Sequence, residues 1–235
     1  MSASVSYEIL TPPSVEPITL TSMKSYLRVD FSDEDSDISQ FISDARQYAE
    51  SVTGRALAPQ TIRATIEPPM IPEGELSGPI GGDFDPYRLN ERITTVPFGF
   101  YGPSFALPFH PISAVSIVEY QLTPFDGQPA SGMQWTTLAA TDSNSSANYL
   151  LDTNTIPMQI SLRPLLVANR YRFTYSAGYN SSSGYSTGPV PFMITNQIKA
   201  LVALWFDNRQ GLTTKAQDLF DNITDKLARQ RIWTL

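Results

Sequence analysis

The 235-residue chain carries a net charge of −7, with 41% hydrophobic residues, only 17% charged residues and no cysteine. This length can bury a substantial core, and the absence of cysteine excludes disulfides, thiolate zinc sites and cysteine nucleophiles. An acidic chain without a lysine- or arginine-rich cluster is not expected to grip the phosphates of DNA or RNA.

The N-terminal segment predicts an extended arm followed by a short helix. Residues 1–18 contain three prolines, which favour extended backbone. They lack the basic start and apolar centre of a signal peptide, and no apolar run reaches the ~18 residues of a membrane span. We therefore expect a soluble protein made in the cytoplasm. Thr19 or Thr21 can cap a short helix that runs to Leu27.

A dense group of carboxylates precedes a helical pattern that starts at Ile38. Apolar residues then recur in steps of three and four, and Gly54 follows as a stop signal. We expect the carboxylates to accept hydrogen bonds from the free backbone N–H groups of the first helical turn. The alternative is calcium binding, because Asp33, Asp35 and Asp37 have EF-hand spacing. Since Ile38 stands where that loop needs glycine, the pattern favours a helix start.

The middle of the chain is predicted to be rich in β-strands. Alternating or β-prone segments fall at 60–67, 91–96, 112–122, 135–138, 148–152, 158–164 and 170–179. Residues 68–108 are dense in proline and glycine and predict a long loop or projecting arm. The composition of residues 180–188 predicts a flexible linker.

Aromatic residues concentrate near the end of the long loop. Such a cluster is typical of a contact surface, but it is equally compatible with a loop folded onto its own core. On the first interpretation, the candidate contacts with a partner or with a neighbouring subunit are Phe98, Phe100, Tyr101 and Phe105.

Two C-terminal helices complete the predicted fold. The first begins at Pro191 and ends at Gly211, and the second spans about 213–230. The order of elements predicts an α+β protein: a helical frame of two N-terminal and two C-terminal helices around a central β-rich insertion. We divide it into an N-terminal arm and helices (1–58), the insertion (59–185), and C-terminal helices with a docking tail (186–235) that pack with residues 19–58.

Motifs for chemistry are missing from the sequence. The single histidine, His110, lies between Phe109 and Pro111 without a G-x-S-x-G nucleophile elbow elsewhere in the chain. Phosphate-binding glycine motifs are also absent. We therefore predict no catalytic residues, no cofactor and no metal; a small hydrolase that uses His110 is kept as a minor alternative.

Four segments in succession resemble head–tail connector (adaptor) proteins of tailed bacteriophages and gene transfer agents. The first combines Leu20-x-x-x-Lys24-x-x-Leu27-Arg28-Val29 with an acidic run and "DISQFISDARQYAESVTGRAL". The second is "HPISAVSIVEY", followed by a glycine turn and W-x-x-L. The third is "YRFTYSAGY", followed by "VP" and a helix that ends in "WFDNR". The fourth is the tail "LFDNITDKLARQRIW".

This resemblance implies a structural virion protein and not an enzyme. Connectors of this family form a homo-oligomeric ring, commonly a dodecamer, beneath the portal in the virion neck. They dock the tail, and double-stranded DNA passes through the ring without sequence-specific binding. Assembly would take place in the host cytoplasm, away from any membrane. The family's C-terminal segment contacts the portal, which implies contact residues here at Leu219, Phe220, Ile223, Leu227, Arg231 and Trp233.

Alternative functions follow from the same residues. A neck stopper or tail-completion protein would contact the adaptor and not the portal. A carbohydrate-binding module would use the aromatic loop 98–109. For the C-terminal helix, the residues alone also allow packing on its own subunit in place of docking in a partner's groove.

Overall fold

The computed structural model describes residues 4–67, 104–121, 134–141, 147–152, 156–162, 168, 170–179, 189–211 and 213–232. In chain order the elements are β1 Ser4–Thr11, α1 Leu20–Leu27, α2 Asp35–Thr53, β2 Gln60–Glu67, β3 Ser104–Ala106, β4 Ile112–Gln121, β5 Thr136–Leu138, β6 Tyr149–Asp152, β7 Gln159–Leu162, β8 Arg170–Ala177, α3 Phe192–Asp207 and α4 Thr214–Ala228. The predicted α+β class, with helices toward both ends and strands in the centre, is confirmed.

The strands form two antiparallel sheets. The larger has the order β1-β2-β8-β4-β5, and the smaller has the order β3-β7-β6. In the larger sheet Phe173 of β8 lies opposite Ala64 of β2 and Val118 of β4, and all three are fully buried. The smaller sheet covers this face, since the Phe105 ring of β3 lies 4.7 Å from the Tyr171 ring and 5.6 Å from the Phe173 ring. These contacts form a sheet-to-sheet core.

The four helices share a second core. The apolar residues of α2 and α3 fall three or four positions apart, so each helix turns one face inward. Buried members of this cluster include Met23, Ile38, Ile42, Ala45, Ala49, Ile194, Ile198, Leu201, Val202, Ile223 and Leu227. The helix boundaries follow local signals: the Thr19 side chain accepts from the Ser22 N–H, and Gly54 ends α2 in the left-handed conformation.

A buried polar network joins the helices to the large sheet. One carboxylate oxygen of Glu50, Oε1, accepts from the Leu57 N–H at 2.8 Å and from Gln60 Nε2 at 3.2 Å. The other, Oε2, accepts from an Arg46 guanidinium N–H at 2.7 Å, and Arg46 Nε donates to Glu16 at 2.8 Å. Burial raises the pKa of Glu50, whereas the Leu57 N–H and Arg46 oppose that shift. The network fixes the turn from α2 into β2.

Gly178 lets the end of β8 approach the start of β2 closely. Its φ of +117° is a conformation that L side chains rarely adopt, and an added Cβ would overlap the Ala58 carbonyl. The Gly178 N–H also donates to the Pro111 carbonyl at 2.8 Å. A side chain cannot be accommodated here without moving the backbone.

Several boundaries differ from the sequence-based predictions. Residues 4–11 of the predicted arm form strand β1, which pairs with β2. Helix α3 ends at Asp207 and not at Gly211, because Asn208 caps it through its backbone N–H and side-chain Nδ2, both donated to the Leu204 carbonyl. The predicted strand 91–96 and linker 180–188 lie outside the described residues, and the division at 58/59 and 185/186 stays a prediction. None of the described helices is long and apolar enough to cross a membrane.

Candidate docking surfaces

The acidic stretch before α2 is held by cations from the neighbouring helices. Lys24 of α1 bonds Asp35 at 2.6 Å, and Arg209, just beyond α3, bonds Glu34 at 2.7 Å and lies 3.6 Å from Asp37. Glu34 occupies the N-cap position but makes no side-chain capping bond. The expectation of carboxylate-to-backbone capping is therefore wrong for this residue. The Glu34 carboxylate bonds Arg209 instead, because a charged guanidinium forms a stronger hydrogen bond with it than a neutral backbone N–H does.

The calcium interpretation of this stretch lacks a ligand set in the structure. Asp35 and Asp37 face Lys24 and Arg209, as described above. Among the residues that the structure describes, no group of three or more histidine, aspartate or glutamate side chains could hold a metal ion. The acids instead connect α1, α2 and the end of α3 at one corner of the molecule.

His110 is a packing residue at the junction between the two cores. Its side chain is 3% exposed, and its Nδ1 accepts from the Met158 N–H at 3.2 Å. Its carbonyl accepts from the Ala56 N–H at 2.9 Å. Burial, assisted by the nearby Arg55 charge, lowers the pKa of His110 to about 4. The imidazole is therefore neutral at pH 7.

Helix α4 turns most of its predicted contact face toward its own subunit. Ile223 is 8% exposed and Leu227 is fully buried in the helical core. Phe220 is half-buried, with its ring 5.2 Å from the Tyr48 ring. Leu219, in contrast, is 58% exposed and points away from the core. Of these four predicted contacts, Leu219 and the outer part of Phe220 can reach a partner.

The chain beyond α4 is also tied to its own subunit up to Ile232. The Ile232 N–H donates to the Thr53 carbonyl at 2.9 Å, and Arg55 Nε donates to the Gln230 carbonyl at 3.0 Å. Arg231 is exposed between these two anchors. Trp233, another predicted contact, lies outside the described residues. Residues 230–232 therefore lie beside the C-terminus of α2.

One of the predicted contacts of the aromatic loop, Phe105, lies among the described residues. Phe105 is 7% exposed and packs against Tyr171 and Phe173 in the sheet core. Phe105 therefore folds onto the chain's own core, which is the second of the two interpretations of this aromatic cluster. Phe98, Phe100 and Tyr101 lie outside the described residues, and their role stays a prediction.

Strand β1 presents an exposed apolar surface that the sequence analysis missed. Val5, Tyr7 and Ile9 are 46%, 56% and 46% exposed. They lie opposite residues of β2 that are buried: Ile66, Ala64 and Ile62, respectively. Partners directly across an antiparallel pair point to the same face, so the apolar face of the sheet continues onto its edge strand. The alternation of apolar residues at 5, 7 and 9 could have revealed this strand, but the prolines after it favoured an arm.

Comparisons with known proteins found one family model and similar solved structures. Residues 17–75 match the model of the phage gp6-like head-tail connector protein family. No curated protein matches the chain significantly. Two similar solved chains come from the neck of an empty gene transfer agent particle computed with C6 symmetry, and from the virion of a native gene transfer agent particle.

The structural similarity extends over nearly the whole chain. The neck chain has a TM-score of 0.60 at 14% identity, with 98% of this chain and 97% of that chain covered. The virion chain has a TM-score of 0.60 at 15% identity, with 97% and 96% covered. At such low identity, the similarity establishes the fold. The resemblance to phage and gene transfer agent head–tail connectors that the sequence motifs indicated is therefore confirmed, by the family model over residues 17–75 and by a shared fold over the rest of the chain.

Proposed function

We propose that this protein is a structural head-to-tail connector in the neck of a tailed phage or gene transfer agent particle. Copies form a ring beneath the portal, dock the tail and let DNA pass. The observation that carries this proposal is the similarity to a gene transfer agent neck chain across 98% of this chain. The match of residues 17–75 to a head–tail connector family supports it independently.

The charge of the protein suits a DNA channel. Each chain carries a net charge of −7, so a ring of several copies is strongly negative. Negative walls repel DNA phosphates and keep the duplex mobile while it passes. Such a ring acts through contacts with neighbouring proteins and needs no catalytic step. The match to a family of head–tail connectors supports this interpretation.

The portal contact is proposed on the outer side of α4 and at the chain end. Leu219 and the exposed part of Phe220 lie on the outer side of α4, and Arg231 and Trp233 follow at the end of the chain. Ile223 and Leu227 act indirectly, because they hold α4 on its own core. An exposed leucine such as Leu219 contributes to stability mainly when a partner covers it.

Electron microscopy of particles that carry a C-terminally labelled chain tests the location. We expect the label at the junction of capsid and tail, in a ring below the portal. Preparations made without this chain should contain heads with packaged DNA that lack tails. Label on the capsid faces or at the tail tip would overturn the proposal.

A pull-down with purified portal protein tests the contact and separates the two neck roles. Leu219→Ser should weaken portal binding by about tenfold, because one buried leucine at an interface contributes about 1–3 kcal/mol. Asp218→Ser, one residue away, is the matched control and should bind normally. If the wild-type chain binds another neck protein and not the portal, the stopper role replaces the adaptor role.

A further inference from the structure

The N-terminal end of α2 presents aromatic and acidic side chains to solvent. Tyr26 and Phe31 are 53% and 54% exposed. Asp30 and Asp33 are exposed on the same connection between α1 and α2. We refer to these four residues as the acidic end. The charged groups gathered at this corner are the carboxylates of Asp30, Asp33, Glu34, Asp35 and Asp37 and the cations of Lys24, Arg28 and Arg209.

The opposite end of α2 is positively charged. Lys226 lies in the last turn of α4 and Arg229 is its C-cap residue; both are exposed, and we refer to this pair as the basic end. The bond from the Ile232 N–H to the Thr53 carbonyl holds this part of the chain at the C-terminus of α2. The charged groups that accompany the pair are Arg55, Arg231 and Asp225.

The two ends are too far apart to neutralise each other within one chain. Helix α2 has 19 residues, so its ends are separated by roughly 27 Å at 1.5 Å per residue. That distance exceeds three Debye lengths at physiological ionic strength, each about 8 Å. Among the described residues, neither end therefore neutralises the other.

A cyclic ring needs a contact between two different surfaces of the same chain. Neighbouring copies in a ring meet through two different patches, one on each side of the subunit, and those patches must complement each other. The acidic and basic ends lie at opposite ends of α2 and carry opposite charge. A second copy of this chain therefore supplies the complementary surface for each end.

We propose that the acidic end of one copy receives the basic end of the next copy in the ring. The carboxylates of Asp30 and Asp33 accept hydrogen bonds from Arg229 and Lys226 of the neighbour. The exposed rings of Tyr26 and Phe31 provide faces over which these cations stack. This inference rests on the proposed ring and adds the surface through which its subunits meet.

Disulfide cross-linking tests the contact directly, because the chain contains no cysteine of its own. Cysteines are introduced as Asp33→Cys and Arg229→Cys in the same chain, and assembled particles are oxidised. A disulfide requires Cα atoms within about 7 Å, whereas in one chain these positions lie beside opposite ends of α2, which are roughly 27 Å apart. Any disulfide therefore joins two copies. The matched control pairs Asp33→Cys with Asp218→Cys, which is exposed nearer the middle of α4.

The expected result is a ladder of covalent multimers that reaches the full ring, with no ladder in the control. A head-to-tail contact propagates from copy to copy, whereas a two-fold contact stops at dimers. Products that stop at dimers, cross-links to a different protein, or an equal ladder in the control would each overturn the proposed contact.

A charge exchange separates failure of this contact from failure of the proposed function. Asp33→Arg should reduce the amount of chain in the neck by about tenfold or more, and adding Arg229→Asp should restore it. Asp218→Arg serves as the control with the same charge change. If the wild-type label is in the neck but the exchange does not restore assembly, the contact is wrong and the connector role stands. If wild-type label is absent from the neck, the connector role itself is wrong.

Discussion

Removing the Glu50 carboxylate tests whether the buried polar network holds the helical core to the sheet. Glu50 is 7% exposed and Arg46 is 5% exposed, so neither side chain can exchange its partner for water. In Glu50→Ala, Arg46 keeps Glu16 but loses its bond to Glu50. The Leu57 N–H loses its acceptor as well.

The magnitude follows from these contacts. Breaking a buried ion pair by removing one partner costs about 3–5 kcal/mol, including the bonds left unmade. Because Glu16 still compensates part of the Arg46 charge, we expect Glu50→Ala to lower the free energy of unfolding by about 3–4 kcal/mol. For a chain of this size each kcal/mol lowers Tm by about 2–4 °C. The expected decrease in Tm is therefore roughly 6–16 °C.

Calorimetry and urea denaturation of the purified chain provide the measurement. Glu50→Gln retains an oxygen acceptor for the Leu57 N–H and should lose about half as much stability. The double variant Arg46→Met with Glu50→Leu removes both charges and should be more stable than Glu50→Ala, because no buried guanidinium is left with only part of its compensating charge. A loss below about 1 kcal/mol in Glu50→Ala, or a double variant that is no more stable than Glu50→Ala, would show that this network does not stabilise the fold as argued.

Four further predictions concern single residues. Since the pKa of His110 falls to about 4 in the fold from an ordinary value of 6.5, its contribution to stability is complete above pH 6.5 and decreases as pH falls toward 4. The loss reaches about 3 kcal/mol, and the difference in urea stability between wild type and His110→Gln should shrink over this range. Gly178→Ala should cost at least about 3 kcal/mol through overlap with a backbone carbonyl. Gly211→Ala should cost only about 1–2 kcal/mol, because its φ is also positive but its surroundings are open. Arg209→Ala should lower stability by about 1 kcal/mol at low salt, by loss of the Glu34 pair, and by less at high salt.

Local signals in the sequence were sufficient to locate most described elements. The Thr19 cap and the glycine at position 54 act within one helical turn, and the structure places helix ends at both. The alternation in residues 60–67 likewise predicted β2 with its observed limits. Such signals depend on neighbouring residues, so a single sequence contains them in full.

Features that depend on distant partners could not be predicted in the same way. The carboxylate of Glu34 bonds Arg209, 175 residues away, and only the packing of α3 against α2 brings the two together. Strand β1 pairs with β2, although the two N-terminal helices lie between these strands in the sequence. No local pattern in residues 4–11 specifies that pairing. In both cases the sequence shows the residues themselves, but tertiary structure determines which residues they contact.

Helix α4 shows why a candidate docking face cannot be assigned from periodicity alone. An amphipathic helix must cover its apolar face, but the pattern does not say whether its own subunit or a partner provides the cover. Here the Tyr48 hydroxyl hydrogen-bonds with the Thr224 hydroxyl at 2.8 Å, and Ile223 and Leu227 fill the helical core. The apolar face is thus used for folding, and the exposed residues outside it remain open to a partner. Substitutions at Leu219 should therefore change binding without changing stability, whereas substitutions at Leu227 should change stability first.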